Sequence, residues 1–235
     1  MSVIRPIINE ISPSISILIR NKYIDVYRKA YFINKIYESG IKNIEVGSFR
    51  KDDTVLFGTR DVMYNINRKI DTQRSALVME IENTLKNLAP SQSVHPYIEQ
   101  IVYELKDESN IQEFLRHKII AKQLGMSTKL ILPSDKVGLY KDTEPDYVEV
   151  SDLSNEILSI VSPEKIFLRP NNFNEVDTAL YNGVYNFSSS LLKTPSLVNT
   201  IELIAYIRRK LGYQIDVNLE TLKETEKEMM DEFNW

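Results

Sequence analysis

The chain contains no cysteine, which removes disulfides, thiolate nucleophiles and cysteine-ligated zinc together. It has two histidines, and neither stands at metal-ligand spacing from another His, Asp or Glu. Both are expected at the surface: His95 in a loop before Pro96, His117 between Arg116 and Lys118. No apolar run approaches the length of a membrane span, and the opening residues `MSVIRPIINE` lack the apolar core of a secretory signal. These absences fit an intracellular, cytoplasmic protein, with incorporation into a larger particle left open. Positive charge is also in short supply: 29 Lys and Arg face 33 Asp and Glu, for a net charge of −4. The basic clusters, Arg116 to Lys118 and Arg208, Arg209, Lys210, lie on helix-like stretches among acidic neighbours and read as solvated faces. Neither nucleic acid nor a membrane is expected as a partner. No Pro/Ser/Gly-rich linker divides the chain, so residues 1–235 read as one domain.

What is present is an alternation of short apolar runs with helical patterns, the mark of β/α units. Strands are expected at Ser2–Ile11, `NIEVGSF` (43–49), `SALVMEI` (75–81), `YIEQIVYEL` (97–105), `STKLILP` (127–133), `DYVEVSD` (146–152), `KIFLRP` (165–170) and `VYNFSSS` (184–190). Helices are expected at Asp25–Ser39, with Asp25 as N-cap and Gly40 just past the end, and at Asn110–Leu124, Asn172–Tyr181 and Pro195–Leu211. A terminal, acidic and amphipathic helix spans about 218–233. Eight strands with helices mostly between them give an α/β fold, a (β/α)8 TIM barrel with an extra C-terminal helix. The middle units look shortened. Only `SDKVGLYKDTEP` lies between strands five and six, and the helix near Asn83 to Ala89 is brief, so the barrel is expected to be irregular or incompletely closed there. A doubly wound open sheet is the alternative, weakened because no Gly-rich phosphate loop follows the first strand.

Two stretches carry a family resemblance. In `INKIYESGIKNIEVGSF` (33–49), Glu38, Ser39 and Gly40 form an acidic-small-Gly turn, and Ile44, Glu45, Ser48 and Phe49 a strand with an Ile-Glu pair and a Ser-Phe exit. Near the other end, `YNGVYNFSSSL` and `VNTIELIAYIRRKLGYQIDVNLETLKE` carry a strand ending in serines, then Thr200, Glu202, Leu203, Leu211, Gly212, Val217, Asn218 and Leu219. `YVEVSD` is a weaker echo. The pattern resembles hydroxymethylglutaryl-CoA lyase and, more broadly, the metal-dependent acyl-CoA lyases and synthases built on TIM barrels.

The resemblance implies a divalent-cation site that the residues here do not supply. The family's first strand ends in E-x-G-P-R-D-G-x-Q, with a catalytic Arg and a metal-ligating Asp. Ungapped from `IEVGSF`, that pattern falls on `EISPSISIL`: Glu10 and Pro13 match, but Ser14 stands for the Arg and Ile15 for the Asp. A hard cation needs oxygen ligands, which Ile15 lacks. The family's His-x-His falls on Leu168, Arg169 and Pro170, or in another register on Glu164, Lys165 and Ile166. Its cysteine loop is reduced to `LLKTP`, and its metal-binding Asn falls near Leu197. No metal and no cofactor are therefore expected.

Glu45 is the functional family position that survives, a candidate general acid or base; as a structural residue it would be satisfied by Ser12 or Ser188. Glu10 reads as structural. Arg169, near the end of strand seven, is a candidate anion binder; as a structural residue it would pair with Asp152 or Glu45. Asn171 and Asn172 read as helix starters. Lys129 invites a Schiff-base reading, but a lone lysine at a strand's start is expected to face solvent. Ser188 to Ser190 have no His or Asp at hydrolase spacing. The favoured reading is a degenerate lyase-like barrel that works by protein binding or self-association, with its mouth filled by Ile15, Leu18 and Leu168. The alternative is a metal-independent lyase or aldolase-type enzyme using Glu45 and Arg169 on a small carboxylate, phosphorylated or acyl-CoA substrate, with the two side chains facing one cavity. A third possibility is a magnesium site made of carboxylates alone. The acidic terminal helix either packs on its own barrel or offers a partner surface.

Overall fold

The computed structural model describes residues 5–14, 24–49, 59–67, 72–78, 98–105, 108–212 and 215–233. Eight parallel strands close into a barrel in sequence order: β1 (Ile7–Glu10), β2 (Asn43–Phe49), β3 (Gln73–Val78), β4 (Gln100–Glu104), β5 (Ser127–Ile131), β6 (Tyr147–Val150), β7 (Ile166–Leu168) and β8 (Asn186–Ser189). β1 pairs with β8, Glu10 opposite Ser189, so closure is complete and the expected gap in the middle is not found. The short β5–β6 connection forms a 3-10 turn over Ser134–Leu139 and then one helical turn at Tyr140–Thr143. That is enough, because adjacent parallel strands lie only about 5 Å apart. The brief helix expected at Asn83 to Ala89, and His95, lie outside the described residues.

The helices follow their sequence signals. α1 (Val26–Glu38) starts where the Asp25 carboxylate accepts from the backbone N–H groups of Tyr27 and Arg28. It buries Ala30, Phe32, Ile33, Ile36 and Tyr37. It ends at Gly40, whose φ of +102° suits a residue without Cβ. A Cβ there would lie 2.4 Å from the Asp216 carbonyl oxygen. Gly40→Ala is therefore expected to cost about 1–3 kcal/mol, read as a fall in the urea midpoint; a change below 0.5 kcal/mol would show that the chain around Asp216 yields freely.

α2 (Thr59–Asn65) follows, then α3 (Ile111–Gln123), which buries Phe114, His117 and Ala121. His117 is thus interior rather than on the surface, its Nδ1 2.9 Å from the Glu113 carbonyl oxygen and its ring 5.2 Å from that of Tyr103. After the short turn at Tyr140–Thr143 (α4) come α5 (Asn155–Ile160), α6 (Phe173–Tyr181), α7 (Thr200–Leu211) and α8 (Leu219–Phe233). α6 opens on Asn172, whose side chain accepts from the Glu175 N–H while Glu175 accepts from the Asn171 N–H. α7 begins at Thr200, five residues later than expected from Pro195, because Asn199 caps it, accepting from Ile201 and Glu202.

The main core lies between strands and helices. Ile44, Ile101, Leu130, Val148, Val150, Ile166, Leu168 and Phe187 form its strand side, against Ile33, Phe114, Val176, Leu203 and Ile207. Each such side chain contributes about 1.5–3 kcal/mol by leaving water. α8 packs on its own barrel: Met229 and Phe233 join Ile24, Phe32 and Leu192, with the Phe32 and Phe233 rings 5.4 Å apart. Ion pairs from Arg28 to Glu232 (3.0 Å) and Lys35 to Glu228 (2.5 Å) orient it. Being half exposed, these pairs add little energy beside the apolar contact. Among the described residues no helix is long and apolar enough to cross a membrane.

Candidate functional site

Side chains alternate across a strand, and here that alternation separates two chemistries. On β6, Val148 and Val150 join the layer under the helices while Glu149 between them turns into the barrel. Glu149 bonds to groups on three other segments: Lys129 of β5 at 2.5 Å, the Ser188 hydroxyl of β8 at 2.6 Å, and the Arg169 guanidinium just past β7. Ser188 also accepts from the Asn9 side chain of β1 at 3.2 Å. Only the barrel interior lets one carboxylate reach β5 and β8 together.

Lys129 corrects the expectation drawn for it. It is completely buried, with Thr128 and Leu130 on the other face of the strand. Its ammonium lies 5.0 Å over the Phe167 ring and 3.9 Å from Glu45 Oε2. Glu45, on β2, is also fully buried, and it accepts from the Ser14 hydroxyl through Oε1. Neither Ser12 nor Ser188 satisfies it: Ser12 serves Glu10 and Ser188 serves Glu149. The acid paired with Arg169 is likewise not Asp152 but Glu149. Glu45 and Arg169 therefore do meet in one cluster, through two residues that the sequence left out of the site. Leu168 does not fill the barrel mouth; opposite Val150 in register, it belongs to the layer under the helices. Ile15 and Leu18 lie outside the described residues.

The cluster holds two carboxylates and two cations, and the carboxylates are driven apart. Burial raises Glu45 above the ordinary carboxylate value and outweighs the pull of Lys129, while the Glu149 charge adds to the rise. Burial would raise Glu149 too, but Arg169 and Lys129 together hold it down at about 2. Arg169 keeps its charge, because Glu149 and then Glu45 outweigh its own desolvation. Two neighbouring acids with opposed shifts form the pattern of a fixed anion beside a proton carrier. Among the described residues, each end of the cluster also has an atom without a hydrogen-bond partner: Glu45 Oε2 and Arg169 Nη2. Arg169 alone reaches solvent, its side chain 19% exposed.

Glu10 belongs elsewhere. Its carboxylate accepts from the Ser12 N–H at 2.9 Å, the Leu191 N–H at 3.0 Å, and the hydroxyls of Ser12 and Thr200. It ties β1 to the exit of β8 and the start of α7. Ser189 bonds to Thr200 and Ser190 to the Leu192 carbonyl, so these serines are structural ties.

The described residues at the centre of the barrel do not fit a divalent cation. The inward carboxylates, Glu45 and Glu149, share their space with an ammonium and a guanidinium. Among the described residues no three His, Cys, Asp or Glu side chains converge to hold a metal.

No protein-family model and no curated protein matches the chain. Solved structures do. The HMG-CoA lyase of Brucella melitensis superposes with a TM-score of 0.85 at 13% identity, over 99% of this chain and 100% of that one. The Bacillus subtilis HMG-CoA lyase gives 0.81 at 18% identity, over 98% and 94%. That of Acinetobacter baumannii, solved with coenzyme A and 3-methylmalate, gives 0.80 at 17% identity, over 100% and 93%. The chain has the TIM-barrel fold of the HMG-CoA lyases, with a cluster of paired charges at its centre.

Proposed function

We propose that this barrel acts on a small carboxylate without a divalent cation, Arg169 holding the carboxylate and Glu45 carrying a proton. The observation behind this reading is the convergence of Glu45, Lys129, Glu149 and Arg169 in the barrel interior, with one atom on Glu45 and one on Arg169 that no described residue hydrogen-bonds. Barrel interiors are usually filled with branched apolar side chains. Keeping four ionisable groups there is costly, and apolar replacements of equal volume are often as stable or better. A barrel kept only for its outer surface has no use for that cost. Buried ionisable groups with opposed shifts mark a candidate chemical site.

The test is a calorimetric titration of EDTA-treated protein with pyruvate. Binding is expected without metal, weakened about 10- to 100-fold in Arg169→Gln, the loss of one charge-assisted hydrogen-bonded contact. No binding, or binding indifferent to Arg169, would overturn the proposal. Added Mg²⁺ or Mn²⁺ is expected to leave the melting temperature of EDTA-stripped protein unchanged. A real cation site at a hundredfold excess over its dissociation constant would add about 2.7 kcal/mol, a shift of a few degrees.

The second reading is a degenerate barrel that works by binding a protein partner or a second copy of itself. It draws on Glu149, which already engages both cations, so that the cluster is largely satisfied from within. Failure of the pyruvate titration would make it the first reading.

A further inference from the structure

We infer that Lys129 is a nucleophile that forms an imine with the carbonyl of a small keto acid. The inference rests on the carboxylate-binding reading above and adds the covalent step and the substrate class to it. Lys129 is fully enclosed, and its Nζ is held from three sides: by Glu149 at 2.5 Å, by the Phe167 ring face at 5.0 Å, and by Glu45 Oε2 at 3.9 Å. An ammonium is a strongly hydrated charge on a flexible stem, and its common uses when a fold encloses it are as a proton carrier or a carbonyl nucleophile. A countercharge for Glu149 is already supplied by Arg169, so neutralising that acid does not require Lys129.

The arrangement also selects the substrate. Among the described residues Arg169 Nη2 has no hydrogen-bond acceptor and is a donor for a carboxylate, and Glu45 Oε2 has no hydrogen-bond donor and is a site for a proton. An amine in the same cluster fits a carbonyl close to the carboxylate, as in an α-keto acid.

The step balances without a co-reactant. Ionised Glu45 takes one proton from the Lys129 ammonium, and the freed amine attacks the carbonyl carbon. The C–N bond forms as the C=O π pair moves to oxygen, and a proton passes from nitrogen to that oxygen to give the neutral carbinolamine. Glu45 returns its proton to the hydroxyl, water leaves, and the nitrogen lone pair closes the iminium. One ammonium and one ketone become one iminium and one water, with Glu45 ionised again. Glu149, held near 2, stays an anion throughout and stabilises the iminium as it did the ammonium.

The experiment is reductive trapping. Wild-type protein is incubated with pyruvate and sodium cyanoborohydride in EDTA, then read by intact mass and by peptide mapping. The expected result is a single reduced adduct on Lys129, accumulating ahead of any surface lysine. Lys129→Arg keeps the charge and is expected to show no such adduct. Glu45→Gln is expected to slow trapping, because the amide cannot take the proton from the Lys129 ammonium. An unmodified Lys129 in wild-type protein that binds pyruvate would sink the imine and leave the carboxylate reading intact. An unmodified Lys129 with no pyruvate binding would sink both. Should Lys129→Arg fail to fold, the wild-type peptide map decides alone.

Discussion

Glu149→Ala is expected to lower stability by about 3–5 kcal/mol, the largest effect of any single substitution in the barrel interior. The reason is the charge it would strand. Lys129 has no exposure, and its hydrogen-bonded acid is Glu149 at 2.5 Å; Glu45 at 3.9 Å is a weaker partner whose burial favours its neutral form. Removing one member of a buried pair leaves the other desolvated without compensation, and that penalty sets the size. Arg169 suffers less, because its side chain is 19% exposed and can turn toward water. A typical domain has about 5–15 kcal/mol in total, so the loss would take a large share of the barrel's stability. The double substitution Lys129→Met with Glu149→Leu removes both charges and is expected to recover most of the loss, giving a coupling energy of several kcal/mol in a double-mutant cycle. Urea midpoints measure both. A Glu149→Ala variant within 1 kcal/mol of wild type would mean that Lys129 does not depend on this acid. The rescued double variant also separates stability from chemistry, since a folded barrel without Lys129 should not be trapped by pyruvate.

The strands were legible because a parallel barrel buries both faces of each of them. Runs such as `KIFL` and `YVEV` are apolar wherever helices cover them, at Val148, Val150, Ile166 and Leu168. The same runs carried the interior signal. A charge set singly between apolar neighbours, Glu149 in `VEV` and Lys129 in `TKL`, is a residue turned inward in a strand whose other face is covered. Taken alone, Lys129 looks like a solvent-facing lysine. Taken with closure, which brings Asn9 and Ser188 of the first and last strands into contact, it has nowhere to point but the interior. Glu45 and Arg169 could be singled out from sequence because a family pattern or strand-end position marked them. Their true partners could not, since pairing across a barrel leaves no local spacing. Two misreadings did have a local signal. His117 shares an inner helical face with Phe114 and Ala121 at spacings of three and four. The start of α7 is written in Asn199 and Glu202, a cap followed by an acid in the first turn, which outweighs the proline upstream.

Stability should pass through a maximum on the acid side of neutrality, because the buried carboxylates pull in opposite directions. Glu149 has a folded value of about 2 against an ordinary 4.5. Between those values the unfolded chain binds more protons than the native one, so its contribution is present above 4.5 and is lost as pH falls toward 2. The span corresponds to about 3 kcal/mol at most. Glu228 and Asp177, lowered by Lys35 and Lys210, add to the same acid loss, but they lie at the surface and are screened. Glu45 and Glu10 run the other way. Burial raises both, so above 4.5 the native state binds more protons than the unfolded one. Their contribution is full below 4.5 and erodes as pH rises through their folded values. Going down from pH 7, stability is therefore expected first to rise, as Glu45 and Glu10 take up protons, and then to fall below 4.5 as Glu149 does. Glu45→Gln should flatten part of the rise, and Glu149→Gln should flatten the fall. Urea midpoints between pH 7 and 3 read all three curves. A wild-type curve that only declines on acidification, with Glu45→Gln parallel to it, would mean that Glu45 sits ionised against Lys129 over the whole range. It would then be a fixed anion like Glu149, and the proton transfers assigned to it in imine formation would lose their carrier.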